Sequence, residues 1–379
     1  MKKKKICFVV AIPGTAQSFL KDHIAALSEE YDVYLAANIT SENDVAGLNI
    51  NGYHSCPINR KISINSDLKA VNELASYFKK EKFDAVHSVT PKAGLVTALA
   101  GKLGGIKHRV HIFTGQVWAT KTGLFRSMLK MLDRLIVALD TDILVDGKSQ
   151  QSFLISEKVI PVGKSVVLGD GSISGVNTER FNPSEEIRNN RRKELNIPDG
   201  KTVFVLMGRL NHDKGLYELL PAFDRLAAER DDVFLLLFGS DEENVASRFH
   251  EFKHLNKDNF LYYGITSEPH NMLQAADIFV LPTYREGFGS SVIEAACLGL
   301  PTITSDAYGV LDASVAGETG LQCKVGDVES LYVAMKTLAE DKEMRTRMGE
   351  AGRKRVLEKF AGDVVVKHWI DFYRDLLQS

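Results

Sequence analysis

Residues 285–294 read Arg-Glu-Gly-Phe-Gly-Ser-Ser-Val-Ile-Glu. Two carboxylates, Glu286 and Glu294, bracket a turn of glycines and serines. Upstream, Asp277-Ile-Phe-Val-Leu-Pro282 reads as a buried strand stopped by proline, and 291–298 reads as a helix. The segment is therefore strand, Gly-rich turn, helix. A helix start offers unpaired N–H groups and the positive end of the dipole, a natural seat for phosphate. Carboxylates flanking such a seat can accept hydrogen bonds from hydroxyls, so together they suit a nucleotide-sugar.

A second cluster precedes it. The apolar run 203–206 enters Met207-Gly208-Arg209-Leu210-Asn211-His212-Asp213-Lys214-Gly215. This is again strand, glycine turn, helix, with Arg209 and Lys214 at the carboxyl end of the strand. Both can reach the same diphosphate. A leaving diphosphate gains charge as its bond breaks, so fixed cations stabilise that transition state.

These residues need a scaffold. Apolar runs at 5–11, 32–37, 85–89, 109–113 and 142–145 alternate with helical patterns near 17–29, 67–80, 93–104, 123–139 and 149–156. The rhythm implies a parallel sheet covered on both faces. A polar stretch, 177–199, reads as an interdomain linker. The rhythm restarts with strands at 202–207, 233–238, 259–263, 277–281 and 302–304, and helices at 215–229, 241–253, 268–275, 290–298 and 327–340. The expectation is an α/β protein of two Rossmann-like, doubly wound domains, 1–182 and 195–361, facing a cleft. Ligands bind at the carboxyl ends of strands in such sheets. The last helix, about 362–379, presents Val365, Trp369, Phe372 and Leu376 at helical spacing and needs a surface to cover, the first domain being a candidate.

Composition agrees with a globular protein: 44% hydrophobic and 25% charged residues. The lysine-rich start resembles a signal peptide, but its apolar stretch breaks at Pro13-Gly14, so a first buried strand is the better reading. No run is long enough to span a bilayer. The four cysteines (Cys7, Cys56, Cys297 and Cys323) show no metal-ligand spacing and read as free thiols of a reducing cytosol. Net charge is near zero, yet residues 1–180 are net basic and the remainder net acidic. An anionic partner for the first half and plain solubility both fit this asymmetry.

On these motifs the chain resembles the retaining glycosyltransferases of family 4, of the GT-B arrangement. The Gly-Arg-Leu-x-x-x-Lys-Gly pattern stands at 208–215 and Glu-x7-Glu at 286–294. Tyr262-Tyr263-Gly264-Ile265 precedes the strand entered by Ala275-Ala276-Asp277. The resemblance spans essentially the whole chain. It implies that Arg209 and Lys214 bind the donor diphosphate and that Glu286 contacts the transferred sugar. Gly287, Phe288, Gly289, Ser290 and Ser291 would hold sugar and phosphate through backbone amides, Glu294 the ribose, and Gly264 and Ile265 the base. It implies a role beside the donor sugar for His111, placed here at a strand end before Gly115. It also points to the first turn, around Gly14 and Thr15, where many members carry paired glycines and this chain has one.

Two loops, Thr90-Pro91-Lys92-Ala93-Gly94 and 168–176 with Gly171 and Ser172, resemble a subgroup that builds bacterial surface glycans, O antigen among them, on polyprenyl diphosphates. Lys92, Gly171, Ser172 and Thr15 are the acceptor-side candidates; ordinary turn chemistry explains the glycines equally well. In the 123–139 pattern Arg126, Lys130 and Arg134 make a basic stripe beside Leu124, Met128, Leu132, Leu135 and Leu139. Such a helix lies on an anionic membrane or covers a core with a solvated face. Asp140-Thr141-Asp142 matches an Asp-x-Asp metal motif but opens a strand of the wrong architecture, so no metal and no cofactor is expected.

The resulting expectation is a metal-independent, retaining hexosyl- or N-acetylhexosaminyltransferase. It would use a UDP-sugar and a lipid-linked glycan acceptor, in the cytoplasm or peripherally on the inner face of the plasma membrane, with no nucleic-acid partner. A nucleotide-sugar 2-epimerase of the same fold and a nonenzymatic nucleotide-sugar sensor are the alternatives. No convincing Gly-x-Gly-x-x-Gly follows a strand, which disfavours a dehydrogenase.

Overall fold

A computed structural model describes residues 3–59 and 63–378. The chain divides into two compact units. One comprises Met1–Ser174 with Gly362–Ser379, the other Gly175–Ala361.

The first unit is a seven-stranded, all-parallel sheet. Its strands are β1 (Lys5–Val9), β2 (Asp32–Ala37), β3 (Gly52–Ser55), β4 (Ala85–Val89), β5 (His108–Phe113), β6 (Asp142–Val145) and β7 (Ser165–Val166). Their order is β3-β2-β1-β4-β5-β6-β7. The chain winds outward from β1 to β3, then restarts on the other side of β1 with β4. That reversal opens a crevice at the carboxyl ends of β1 and β4.

The second unit repeats the plan with six parallel strands, β8 (Thr202–Met207), β9 (Val233–Phe238), β10 (Phe260–Gly264), β11 (Ile278–Leu281), β12 (Thr302–Ser305) and β13 (Gly320–Cys323). Their order is β10-β9-β8-β11-β12-β13, so its crevice lies between β8 and β11. Central strands such as β8 and β9 are buried along nearly their whole length, which is why their sequences are continuously apolar.

The helix Gly362–Gln378 belongs to the first unit. Val365, Trp369, Tyr373, Leu376 and Leu377 join Ile6, Phe8, Leu35 and Val110 in one core. Trp369 lies between two imidazoles, stacked on His23 at 4.2 Å and on His87 at 5.0 Å. His87 Nδ1 bonds the Tyr373 hydroxyl at 2.7 Å, and His23 Nε2 the Ile173 carbonyl at 2.6 Å.

The stretch 177–199 is not an open linker. It holds the helix Glu185–Glu194, capped by Ser184, whose hydroxyl accepts from the Ile187 N–H at 3.3 Å. Arg188 and Arg192 both pair with Asp277, fixing this polar helix to the second unit. A further unexpected helix, Lys342–Lys359, packs against Ser290–Cys297 so closely that a Cβ on Gly349 would meet the Gly299 carbonyl oxygen at 2.0 Å. Among the described residues, no helix is long and apolar enough to cross a membrane.

Candidate active site

The two motifs of the second unit converge at its crevice. β8 leads to Gly208 and the 209–215 loop, and β11 leads to Pro282 and Glu286. Gly215, with φ +74°, lies so close to Pro282 that a Cβ there would fall 2.1 Å from the proline carbonyl oxygen, which restricts the position to glycine. The contact is clipped by polar bonds. The Tyr284 N–H and the Thr283 hydroxyl both donate to the Asp213 carbonyl, at 2.9 and 2.7 Å. The Arg285 guanidinium holds the Asp213 carboxylate at 2.9 and 2.6 Å.

Within this frame the Lys214 ammonium pairs directly with Glu286 Oε1. The Thr283 hydroxyl reaches the same oxygen at 3.3 Å. Arg209 is held by Glu242 at 3.1 Å, and the Asn211 amide donates to that carboxylate at 3.0 Å. Both cations therefore carry a carboxylate partner.

Gly287 to Ser291 lead into the helix Ser290–Cys297, whose N-cap Gly289 has φ +91° and no side-chain cap. Its first N–H groups are thus left for a ligand. Phe288 anchors the turn from below: it is buried and meets Phe360 edge-on at 5.1 Å, so only its backbone faces the site. Glu294, one turn into the helix, has its pKa pushed up to about 7 by burial, with Arg180 opposing the shift. Gly264 (φ +86°) closes β10, and Ile265 beyond it is 76% exposed, an apolar platform without a partner side.

Sequence reasoning missed several supports. Gly309 has φ +88°, and a Cβ there would fall 2.5 Å from the Glu286 carbonyl oxygen, so it shapes the backbone on which Glu286 rides. Asp213, Thr283 and Glu242 hold the cations and the glutamate in place. Asp213 and Thr283 lie inside the motif segments, but side-chain roles there are not encoded by spacing.

The first unit departs from expectation at His111. It lies mid-strand in β5 and is fully buried, its Nδ1 at 2.8 Å from Ser88 Oγ. A Cβ on Gly94 would come within 2.5 Å of the ring, so the helix Pro91–Gly104 seals it. Burial lowers its pKa to about 3 and leaves it neutral. Strand alternation turns it toward the helix layer instead of toward the carboxyl edge. Ser172 is likewise buried, its N–H donating to the Asp146 carbonyl at 2.8 Å, and its loop carries Gly171 at φ +105°. This loop is a clasp beneath the 362–378 helix: a Cβ on Gly169 would strike His368 at 2.4 Å. Gly14 has open space around it, so no close approach requires glycine there.

Thr15 and Lys92, by contrast, line one chamber of about 490 Å³ at the β1–β4 crevice. Lys92 is paired with Asp67. The basic stripe of the helix Gly123–Leu139 is only partly solvated: Arg126 and Lys130 are half-buried and Arg134 is exposed. Arg126 and Lys130 both pair with Glu157 and lie over the Trp118 ring at 5.2 and 5.4 Å. Arg134 donates to the Lys158 carbonyl at 2.8 Å. Beside the exposed Arg134 and Ser127, the helix also exposes large apolar side chains: Leu124, Phe125, Met128, Met131 and Leu135. Asp140 and Asp142 lie at the amino end of β6, the edge of the sheet away from the crevice. No group of three His, Cys, Asp or Glu able to hold a metal occurs among the described residues.

Comparison with known proteins places this geometry. Residues 187–355 match the family described as glycosyl transferases group 1, and residues 5–144 match that described as glycosyl transferase 4-like. The chain belongs to the family 4 glycosyltransferases. It is 29% identical to a capsular polysaccharide biosynthesis glycosyltransferase, CapM, of Staphylococcus aureus, with 100% of this chain and 99% of that protein covered. It is 25% identical to a UDP-Gal:alpha-D-GlcNAc-diphosphoundecaprenol alpha-1,3-galactosyltransferase of Escherichia coli, with 99% and 96% covered. Among solved structures, sucrose-phosphate synthase of Thermosynechococcus elongatus superposes with a TM-score of 0.83 at 19% identity, covering 99% of this chain and all of that one. The Anabaena protein HepE in complex with UDP gives 0.81 at 16% identity, with 98% and 100% covered. The fold is therefore that of GT-B glycosyltransferases, and this family 4 chain is a glycosyltransferase.

Proposed function

We propose that this glycosyltransferase moves a hexose or N-acetylhexosamine from a UDP-sugar, with retention, to a sugar carried on a polyprenyl diphosphate, in the synthesis of a surface polysaccharide. The observation that carries the proposal is the convergence of Lys214 and Glu286 at the β8–β11 crevice, beside an uncapped helix start. The lipid-linked acceptor rests on end-to-end likeness to an enzyme whose name specifies an undecaprenyl-diphosphate sugar.

Donor binding would exchange partners. The diphosphate takes Lys214 and Arg209, and Glu286 turns from Lys214 to the sugar hydroxyls. Glu294 as carboxylate accepts from the ribose. The glycosidic bond to the diphosphate breaks, and the acceptor hydroxyl attacks from the same face. Its proton passes to a leaving diphosphate oxygen. The fixed cations meet the charge of the leaving group without a metal, so activity should persist in excess EDTA.

The acceptor's lipid also gives the exposed ridge of the 123–139 helix an occupant. We infer that this ridge meets the inner face of the membrane, placing the enzyme peripherally in the cytoplasm. The deciding experiment is a donor screen by thermal shift, followed by product analysis with polyprenyl-diphosphate sugars. A retained-configuration disaccharide on lipid is the expected product. Epimerised UDP-sugar formed without any acceptor, or donor binding with no turnover on any acceptor, would overturn the reading.

A further inference from the structure

The chamber in the first unit is built differently from the donor site. Its walls are the side chains of Ile12, Leu95, Val117, Phe125, Leu129 and Leu132. At about 490 Å³ it falls inside the range of roughly 300–1,000 Å³ usual for small-molecule sites. Val117 and Phe125 are about half exposed, at 46% and 51%, apolar surface left uncovered at a sheet crevice. Such uncovered apolar surface marks a place where something apolar binds.

One end of the chamber is polar. Thr15, Thr90, Lys92 and Asp67 all border it. Thr90 precedes the helix Pro91–Gly104 in a conformation of φ +80° and makes no capping hydrogen bond. Its buried Oγ1, a hydroxyl able to donate to an anion, has no hydrogen-bond partner among the described residues. A lysine and the positive end of a fourteen-residue helix thus face the same corner. The complementary ligand is an amphiphile: an anionic group at Lys92 and an apolar chain along the walls. Away from the polar end and Asp133, a sugar ring along the apolar walls would leave most of its hydroxyls without partners. A nucleoside fails on the same ground.

We propose that this chamber holds the isoprenoid of the acceptor, its first units between Leu95, Phe125, Leu129 and Leu132, with the diphosphate at Lys92 and the helix start. The assignment rests on the lipid-linked acceptor proposed above and adds which part of it is recognised. The Asp67–Lys92 pair closes the polar end at rest, and the diphosphate takes the lysine from Asp67. The acceptor sugar then lies outside the chamber, beyond Thr15. The exposed ridge of the 123–139 helix borders the chamber's apolar edge, so the lipid can enter from a bilayer without crossing water.

Trp118 lines the chamber, and the chain's other tryptophan, Trp369, is buried in the core, so intrinsic fluorescence reports on the chamber. Full-length protein would be titrated with farnesyl diphosphate, with inorganic diphosphate and with phosphatidylglycerol vesicles. Farnesyl diphosphate should change the Trp118 emission saturably, and inorganic diphosphate should need at least about tenfold more for the same change. The Leu129→Gln/Leu132→Gln variant should weaken farnesyl diphosphate about tenfold and leave UDP affinity unchanged. Phe125→Ser, at an exposed position, serves if the double variant does not fold. Equal responses to inorganic and farnesyl diphosphate, unchanged affinity in the variants, or a response to vesicles alone would each overturn the proposal. Transfer to lipid-linked sugars without a farnesyl response sinks the chamber and spares the acceptor. A farnesyl response without any such transfer does the reverse.

Discussion

At the residue scale, the proposed donor site holds satisfied ion pairs, Lys214 with Glu286 and Arg209 with Glu242, and this separates binding from chemistry. Glu286 neutralises Lys214, so Glu286→Gln leaves the lysine freer for phosphate. Transfer should fall about 10²–10³-fold while UDP binding stays unchanged or tightens. Joint loss of both, measured by turnover and calorimetry, would make Glu286 a structural brace only. Glu294 supplies a pH dependence. Burial raises its pKa to about 7, and the proposed ribose contact needs the carboxylate form. UDP affinity should therefore rise from about pH 6 to pH 8, with proton release on binding, and Glu294→Gln should flatten the profile. The same shift sets a stability sign. The folded state keeps a proton that the unfolded chain has lost, so stability declines as pH rises from the ordinary carboxylate range through about 7. Glu294→Gln should melt higher than wild type at about pH 8 and no differently at about pH 4, where both states are protonated. The meeting of the two motif segments, Lys214 against Glu286, is legible in the types and spacing of their residues. The burial of His111 is not legible, because strand alternation decides between edge and interior, and sequence shows the strand but not its facing helix.

At the element scale, the central strands β1, β2, β4, β6, β8 and β9 were legible as apolar runs. Those missed, β3, β7 and β13, are the short outer strands at sheet edges, where burial imposes little pattern. The helix 185–194 was read as linker because it buries no residue and is held by arginines instead of by an apolar stripe. Gly309 carries a test of how loops set the site. Gly309→Ala would push a methyl into the Glu286 carbonyl in a left-handed conformation, costing about 1–3 kcal/mol and disproportionately lowering transfer. Gly299→Ala, with φ +79° but open space, is the control for backbone strain alone. The 123–139 helix exposes an apolar ridge beside its basic stripe. Replacing Leu124, Met128 and Met131 with Ser should reduce co-sedimentation with vesicles. Arg126→Glu acts first by breaking its pair with Glu157; vesicle binding lost only through that charge change would contradict the ridge.

At the scale of the whole molecule, two sheets of the same plan carry differently lined crevices. The β8–β11 crevice is lined by charge and amides, and the β1–β4 crevice by apolar side chains with one cationic corner. The first unit is also acid-labile by construction. His23, His87 and His111 are buried neutral, with pKa values lowered to about 4, well below normal, and to about 3. The unfolded chain binds protons that the folded one refuses, so stability is full above the ordinary imidazole pKa and lost as pH falls below it. Each imidazole contributes a slope of up to about 1.4 kcal/mol per pH unit. Urea unfolding followed by Trp369 fluorescence should show a clear loss between about pH 7 and pH 5; a flat profile would contradict the sandwich around Trp369. Trp369→Ala should cost about 3–5 kcal/mol. That indole has a consequence for synthesis on the ribosome. The sheet of the first unit is translated early, but the helix that closes its core follows Gly175–Ala361. At about 5–20 residues per second, the nascent first unit waits roughly 10–40 s with Phe8, His23 and His87 uncovered. The second unit is complete as soon as that interval ends, before the closing helix has emerged, so a chaperone that shields the open face of the first should raise the yield of folded protein.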